Sequence, residues 1–169
     1  SPSWLQGKIL LNLDTEEDDE LGVGCAGGID VTGIGTYSPE QSDSESIGLR
    51  IGISGLKGGH SGMDIHLGLA NANKVLARLV WAAYQKFPVA LSSMIGGSLR
   101  NAIPREASAI LAVSSTAVSD IEACLVNECK LLVSEFESVD PEISLVVEAC
   151  PCPDLVLKDF DLATLLHSL

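Results

Sequence analysis

Ile47-Gly48-Leu49-Arg50-Ile51-Gly52-Ile53-Ser54 is the stretch on which the fold turns. Apolar side chains at 47, 49, 51 and 53 alternate with Gly, Arg, Gly and Ser, the period of two by which an extended strand buries one face. The flanking chain must supply the layer that covers that face. Downstream, Gly55–Ile65 is rich in glycine and reads as a loop. Leu69, Ala72, Leu76, Leu79, Val80 and Ala83 then recur at helical spacing until Phe87-Pro88, which predicts a helix over about residues 66–86. Val89–Ile95 returns to strand character, and Ala107–Ser114 is a second alternating run with Ala107, Ala109, Leu111 and Val113 on one side. Ser119-Asp120-Ile121-Glu122 has the form of a capping box opening a helix whose apolar stripe is Ile121, Leu125, Cys129, Leu132 and Phe136. Asp140-Pro141 breaks that helix, and Ile143–Glu148 supplies a last strand.

From 47 to 148 the order is therefore strand, helix, strand, strand, helix, strand. This is the βαββαβ pattern of an α+β, ferredoxin-like two-layer sandwich, an antiparallel sheet with two helices on one face. Ahead of it, Lys8–Leu13 is a short strand-like run ending at Asp14, and a carboxylate at the end of a strand is where open α/β sheets place ligand groups. Leu21–Thr36 reads as extended chain bent at its glycines, and Ser38–Ser46 as a polar loop. The chain lacks an initiator Met and stops within an apolar helical pattern, Leu162–Leu169, so both ends read as cut.

With 169 residues and 46% apolar content the chain can bury a core. Its formal net charge of −13 repels a phosphate backbone, which argues against nucleic acid as a partner. Its apolar runs fall far short of the ~20 residues that span a bilayer, so no membrane role is expected. The acidic run Glu16–Glu20 reads as a solvated turn or a cation site. The five cysteines lack paired C-x-x-C spacing; Cys124 and Cys129 read as buried small apolar residues, and Cys150-Pro151-Cys152 is too tight for a comfortable intrachain bridge. Reduced thiols in a soluble, cytoplasmic protein are expected.

Chemistry concentrates in two segments. His60 lies in Gly58-Gly59-His60-Ser61-Gly62, where glycines let the backbone turn tightly and present an imidazole from a loop; it reads as a site residue or as a solvated loop histidine. The serine-nucleophile pattern G-x-S-x-G fails here, because Met63 stands where the final glycine belongs. His66 follows at a spacing unsuited to paired metal ligands on a helix, and reads as structural. Ser98–Glu106 holds Asn101, Arg100 and Arg105 between two strands, either a plain hairpin loop or a group able to orient a peptide carbonyl or carboxylate.

Four segments in order resemble the aminoacyl-histidine dipeptidases of the two-zinc aminoacylase and carboxypeptidase superfamily: Leu10–Glu16, Gly24–Asp30, Gly55–His66 with Asn71–Lys74, and Gly96–Glu106. The resemblance implies that residues 1–30 end a catalytic domain and its hinge, 31–153 form a lid and dimerisation domain, and 154–169 are a truncated helical tail. It implies that Asp14 ligates one of two zinc ions, that His60 supports the scissile carbonyl oxygen as it becomes an oxyanion, in its own or the partner subunit, and that Asn101 contacts substrate. The family reaction is hydrolysis of a dipeptide by a zinc-activated water with a glutamate as general base. A dipeptide substrate, a homodimer through the lid and a cytoplasmic location follow from the same resemblance. The family's remaining zinc ligands and its general base have no counterpart in these 169 residues, so this chain alone is expected to be inactive and to hold no zinc tightly. The rival reading is a non-catalytic ferredoxin-like module for ligand binding or dimerisation, since the fold pattern alone is compatible with many functions.

Overall fold

The computed structural model describes residues 31–169 throughout, together with Gly7–Ile9, Asp19, Gly24, Gly27 and Ile29. Asp14, Cys25, most of the acidic run and residues 10–13 of the expected first strand lie outside the described residues. The chain divides into two units, Ser1–Gly35 and Thr36–Leu169.

Among the described residues the regular elements are β1 (Glu40–Gln41), β2 (Ser46–Ser54), β3 (Gly59–His60), α1 (Ala72–Tyr84), β4 (Val89–Gly96), β5 (Ala102–Ile103), β6 (Ala107–Ser114), α2 (Val118–Glu135), β7 (Ser144–Cys150), β8 (Leu155–Val156) and α3 (Asp159–Ser168). Four strands form one sheet in the order β4-β6-β2-β7, with every neighbouring pair antiparallel. The last strand lies outside the first, and the third is inserted between the first and second. That order is the ferredoxin-like arrangement expected from the sequence.

Register explains why the sheet has one core face. Leu49 of β2 stands opposite Leu111 of β6 and Ile51 opposite Ala109, while Leu91 of β4 flanks Leu111 on the far side. All of these side chains are buried, as is Ile53. On β7, Leu145 and Val147 pack against the same core while Ser144, Val146 and Glu148 are exposed. The period of two is thus satisfied on three neighbouring strands at once, so a slip of one residue in any of them would expose its apolar set.

The helices close the core. Val75, Leu76, Leu79, Val80 and Ala83 of α1 and Ile121, Leu125, Cys129 and Leu132 of α2 are buried. Cys124 and Cys129 are buried free thiols, and burial pushes the Cys129 thiol up from its ordinary value. Cys150 and Cys152 are also free thiols. Arg78 of α1 meets Glu135 of α2 through two contacts of 2.8 and 2.9 Å; the guanidinium hydrogen bond holds the Glu135 carboxyl below its usual range. Because the pair is about half exposed, it orients the helices more than it stabilises them.

The segment after β8 is a third packed helix. Leu162 and Leu166 of α3 join the main core, and His167 meets the Trp81 ring edge-on with centroids 4.7 Å apart. Asp159 accepts a hydrogen bond from the Tyr84 hydroxyl, which raises that phenol from its ordinary value. The strands β1 and β8 pair with each other, and the Leu157 amide donates to the Leu91 carbonyl at 2.8 Å. Among the described residues no helix is long and apolar enough to cross a membrane.

Two helix starts differ from the expected ones. The helix expected from about residue 66 begins at Ala72, because Gly68 adopts a left-handed φ of 68° after a single 3-10 turn over Ile65–Leu67. Asn71 caps α1 instead, its side-chain oxygen accepting from the Asn73 and Lys74 amides. The Ser119–Glu122 capping box does not form. The chain is already turning through a 3-10 helix at Ser115–Ala117, so Ser119 falls inside the first turn of α2 and the Ser114 hydroxyl takes the capping role at Thr116. Asn71→Ala should therefore lower stability by about 0.5–2 kcal/mol in chemical denaturation, whereas Ser119→Ala should leave it almost unchanged.

Candidate functional site

The loop from β2 to α1 and the loop from β4 to β6 meet at one end of the sheet. They do so because β3 and β5 pair antiparallel, with Gly59 opposite Ile103 and His60 opposite Ala102. The ribbon extends by one more bond, from the Ser61 amide to the Asn101 carbonyl at 2.8 Å. At its base, the Ala72 amide donates to the Pro104 carbonyl at 2.9 Å. His60 and Asn101, forty-one positions apart in sequence, are thereby held on adjoining strands of one ribbon, and both are exposed.

The local geometry around His60 is specific. Its amide donates to Asp64 Oδ2 at 2.7 Å, and its carbonyl accepts from the Asp64 amide at 2.9 Å. Its Nδ1 accepts from two further amides, those of Gly62 and Met63, each at 3.1 Å. A ring nitrogen that accepts hydrogen bonds carries no proton, so the neutral imidazole places its proton on Nε2. The exposed His60 thus carries an N–H donor whose tautomer is set by the loop. Two glycines make this possible. Gly58 has a φ of 65°, and a Cβ at Gly62 would stand 3.3 Å from the imidazole it has to wrap around.

Beside the ribbon runs a groove of about 760 Å3, bordered by Lys57, Gly59, Ile95, Leu99, Ala102 and Arg105 among others. Its charged lining residues are Lys57, Arg105 and Glu106. His66 sits in the 3-10 turn and is exposed. Among the described residues no group of three or more His, Cys, Asp or Glu could hold a metal ion. Asp14, the one zinc ligand expected here, is outside the described residues.

Sequence reasoning missed Asp140. It is the one buried charged side chain among the described residues, at 1% exposure, and both of its carboxylate oxygens are bonded to the site loop. The Asp140-Pro141 pair signals a helix end and gives no hint of those partners.

Residues 51–134 of the chain match the family model described as a peptidase dimerisation domain. Its relatives include peptidases: the chain is 38% identical over 147 residues to the cytosol non-specific dipeptidase of Escherichia coli strain K12, covering 87% of this chain and 30% of that protein. The crystal structure of the aminoacylhistidine dipeptidase from Vibrio alginolyticus superposes with a TM-score of 0.74 at 30% identity, covering 78% of this chain and 27% of that one. A hydantoinase/carbamoylase family amidase from Burkholderia ambifaria, at 11% identity and a TM-score of 0.50 over 73% of this chain and 32% of that one, shares the fold alone. The chain thus spans under a third of the length of the dipeptidases it resembles.

Proposed function

We propose that this chain is the lid and dimerisation part, centred on residues 31–153, of a zinc-dependent cytoplasmic dipeptidase that hydrolyses Xaa-His dipeptides. The observation that carries the reading is the His60 imidazole: two amides occupy Nδ1, which leaves Nε2–H as the ring's donor on an exposed residue of a ribbon that also carries Asn101. A donor of fixed tautomer on a fastened loop suits an oxygen on which negative charge develops, because the donor does not reorganise during reaction. Asn101 contacts the bound dipeptide, and Asp14 contributes to the metal site in the intact protein. When bound, zinc supplies the activated water.

The match of residues 51–134 to a dimerisation-domain model supports assembly as a homodimer through this domain. The experiment is hydrolysis of a panel of dipeptides by the intact protein before and after exhaustive chelation, with light scattering in parallel. Activity on Xaa-His substrates that chelation abolishes and zinc restores, in a particle of twice the protomer mass, is the expected result. Hydrolysis that survives chelation, or a strictly monomeric particle, would overturn the corresponding part of the proposal.

A further inference from the structure

Asp140 follows the end of α2, where its own amide donates to the Phe136 carbonyl at 2.7 Å. Oδ1 accepts the Lys57 amide and Oδ2 accepts the Ala70 amide, each at 2.7 Å. These two amides stand at either end of the segment 57–70 that carries His60 at its turn. A single carboxylate therefore closes the loop, and the short distances are those of charge-assisted bonds. Only a carboxylate can do this, since it accepts at both oxygens. An asparagine would accept one amide and present its own N–H groups to the other.

Between the two ends, the loop is fastened again at the β3–β5 ribbon and by Asp64. The Asp64 bond is exposed, so water competes for it, whereas the bond from Asp140 to the Ala70 amide is buried and that to the Lys57 amide is part-buried. We infer that Asp140 is a positioning residue for His60, acting through the Lys57 and Ala70 amides to hold the loop closed so that the imidazole keeps its orientation and its Nε2–H tautomer.

The inference rests on the catalytic reading of His60, and its test separates the two. In the intact protein, the Lys57 and Ala70 amides should exchange with solvent as slowly as core amides, and rapid exchange at both would overturn the clamp without any variant being made. Asp140→Asn should shift the His60 ring 15N signals towards the mixed tautomers of free histidine. It should also reduce kcat for an Xaa-His dipeptide by about ten- to a hundredfold, with KM changed far less. Leu125→Ala, a core truncation on α2 that removes none of the loop's hydrogen bonds, should lower stability while leaving the ring signals and kcat in place. Unchanged His60 signals in Asp140→Asn, or the same changes in Leu125→Ala, would overturn the positioning role. If His60→Ala itself leaves turnover intact, the dipeptidase reading of His60 falls, while the ring signals still decide whether Asp140 sets the imidazole.

Discussion

His60→Ala in the intact protein should cut turnover of an Xaa-His dipeptide by roughly 10²–10³-fold, the effect of deleting one oxyanion donor, ~3–4 kcal/mol of transition-state stabilisation. The loss should fall mainly on kcat, because a carbonyl oxygen gains its negative charge only as the bond reorganises. Zinc content should stay near normal, since nothing in the loop geometry gives His60 a ligand's role. Folding should suffer little as well: the Gly62 and Met63 amides that lose Nδ1 are exposed and can turn to water. Steady-state kinetics, metal analysis and thermal melting on one preparation separate these effects. A parallel loss of zinc and turnover would contradict the oxyanion role.

Leu111→Ala should be the most damaging of the core truncations, at about 2–5 kcal/mol. Leu111 is fully buried on β6, with Leu49 on one neighbouring strand and Leu91 on the other standing beside it in register. Truncation opens a cavity between the sheet and the helices, whose backbones are each held by their own hydrogen bonds and cannot collapse into it. Urea denaturation should show a lowered midpoint with an unchanged slope. Ile110→Ala, one residue away on the opposite, partly exposed face, should cost much less. Equal losses at the two positions would mean that the sheet does not have a single core face.

Much of this architecture is written locally in the chain. The alternation at 47–54 and 107–114 and the helical stripes at 72–83 and 121–132 each state their own burial, and their order leaves few ways to stack two helices on four strands. His60 and Asn101 were legible as candidates through their glycine-rich and polar surroundings. The features that stayed hidden depend on contacts between distant positions. Asp140 reaches amides 83 and 70 positions away, and nothing in Asp140-Pro141 encodes that reach. The pairing of β3 with β5 involves two residues a strand, too few for any periodicity. The capping box failed for a related reason, because the geometry with which β6 hands over to α2 was decided upstream at Ser114. The packing of α3 depends on Leu162 and Leu166 meeting a core already built by other elements.

The fastenings of the His60 loop are almost entirely main-chain groups: the amides of Lys57, His60, Ser61 and Ala70, and the carbonyl of Asn101. Apart from Asp64, Asp140 and the imidazole itself, the side chains along this frame are bystanders to its shape. Lys57, Ser61, Met63 and Ile65 are exposed and can be exchanged without loosening what holds the histidine. Holding the imidazole and bordering the groove thereby fall to different groups within one short segment. A lineage, or a combinatorial library, can vary position 57 to change what the neighbouring groove admits while the imidazole stays where it was.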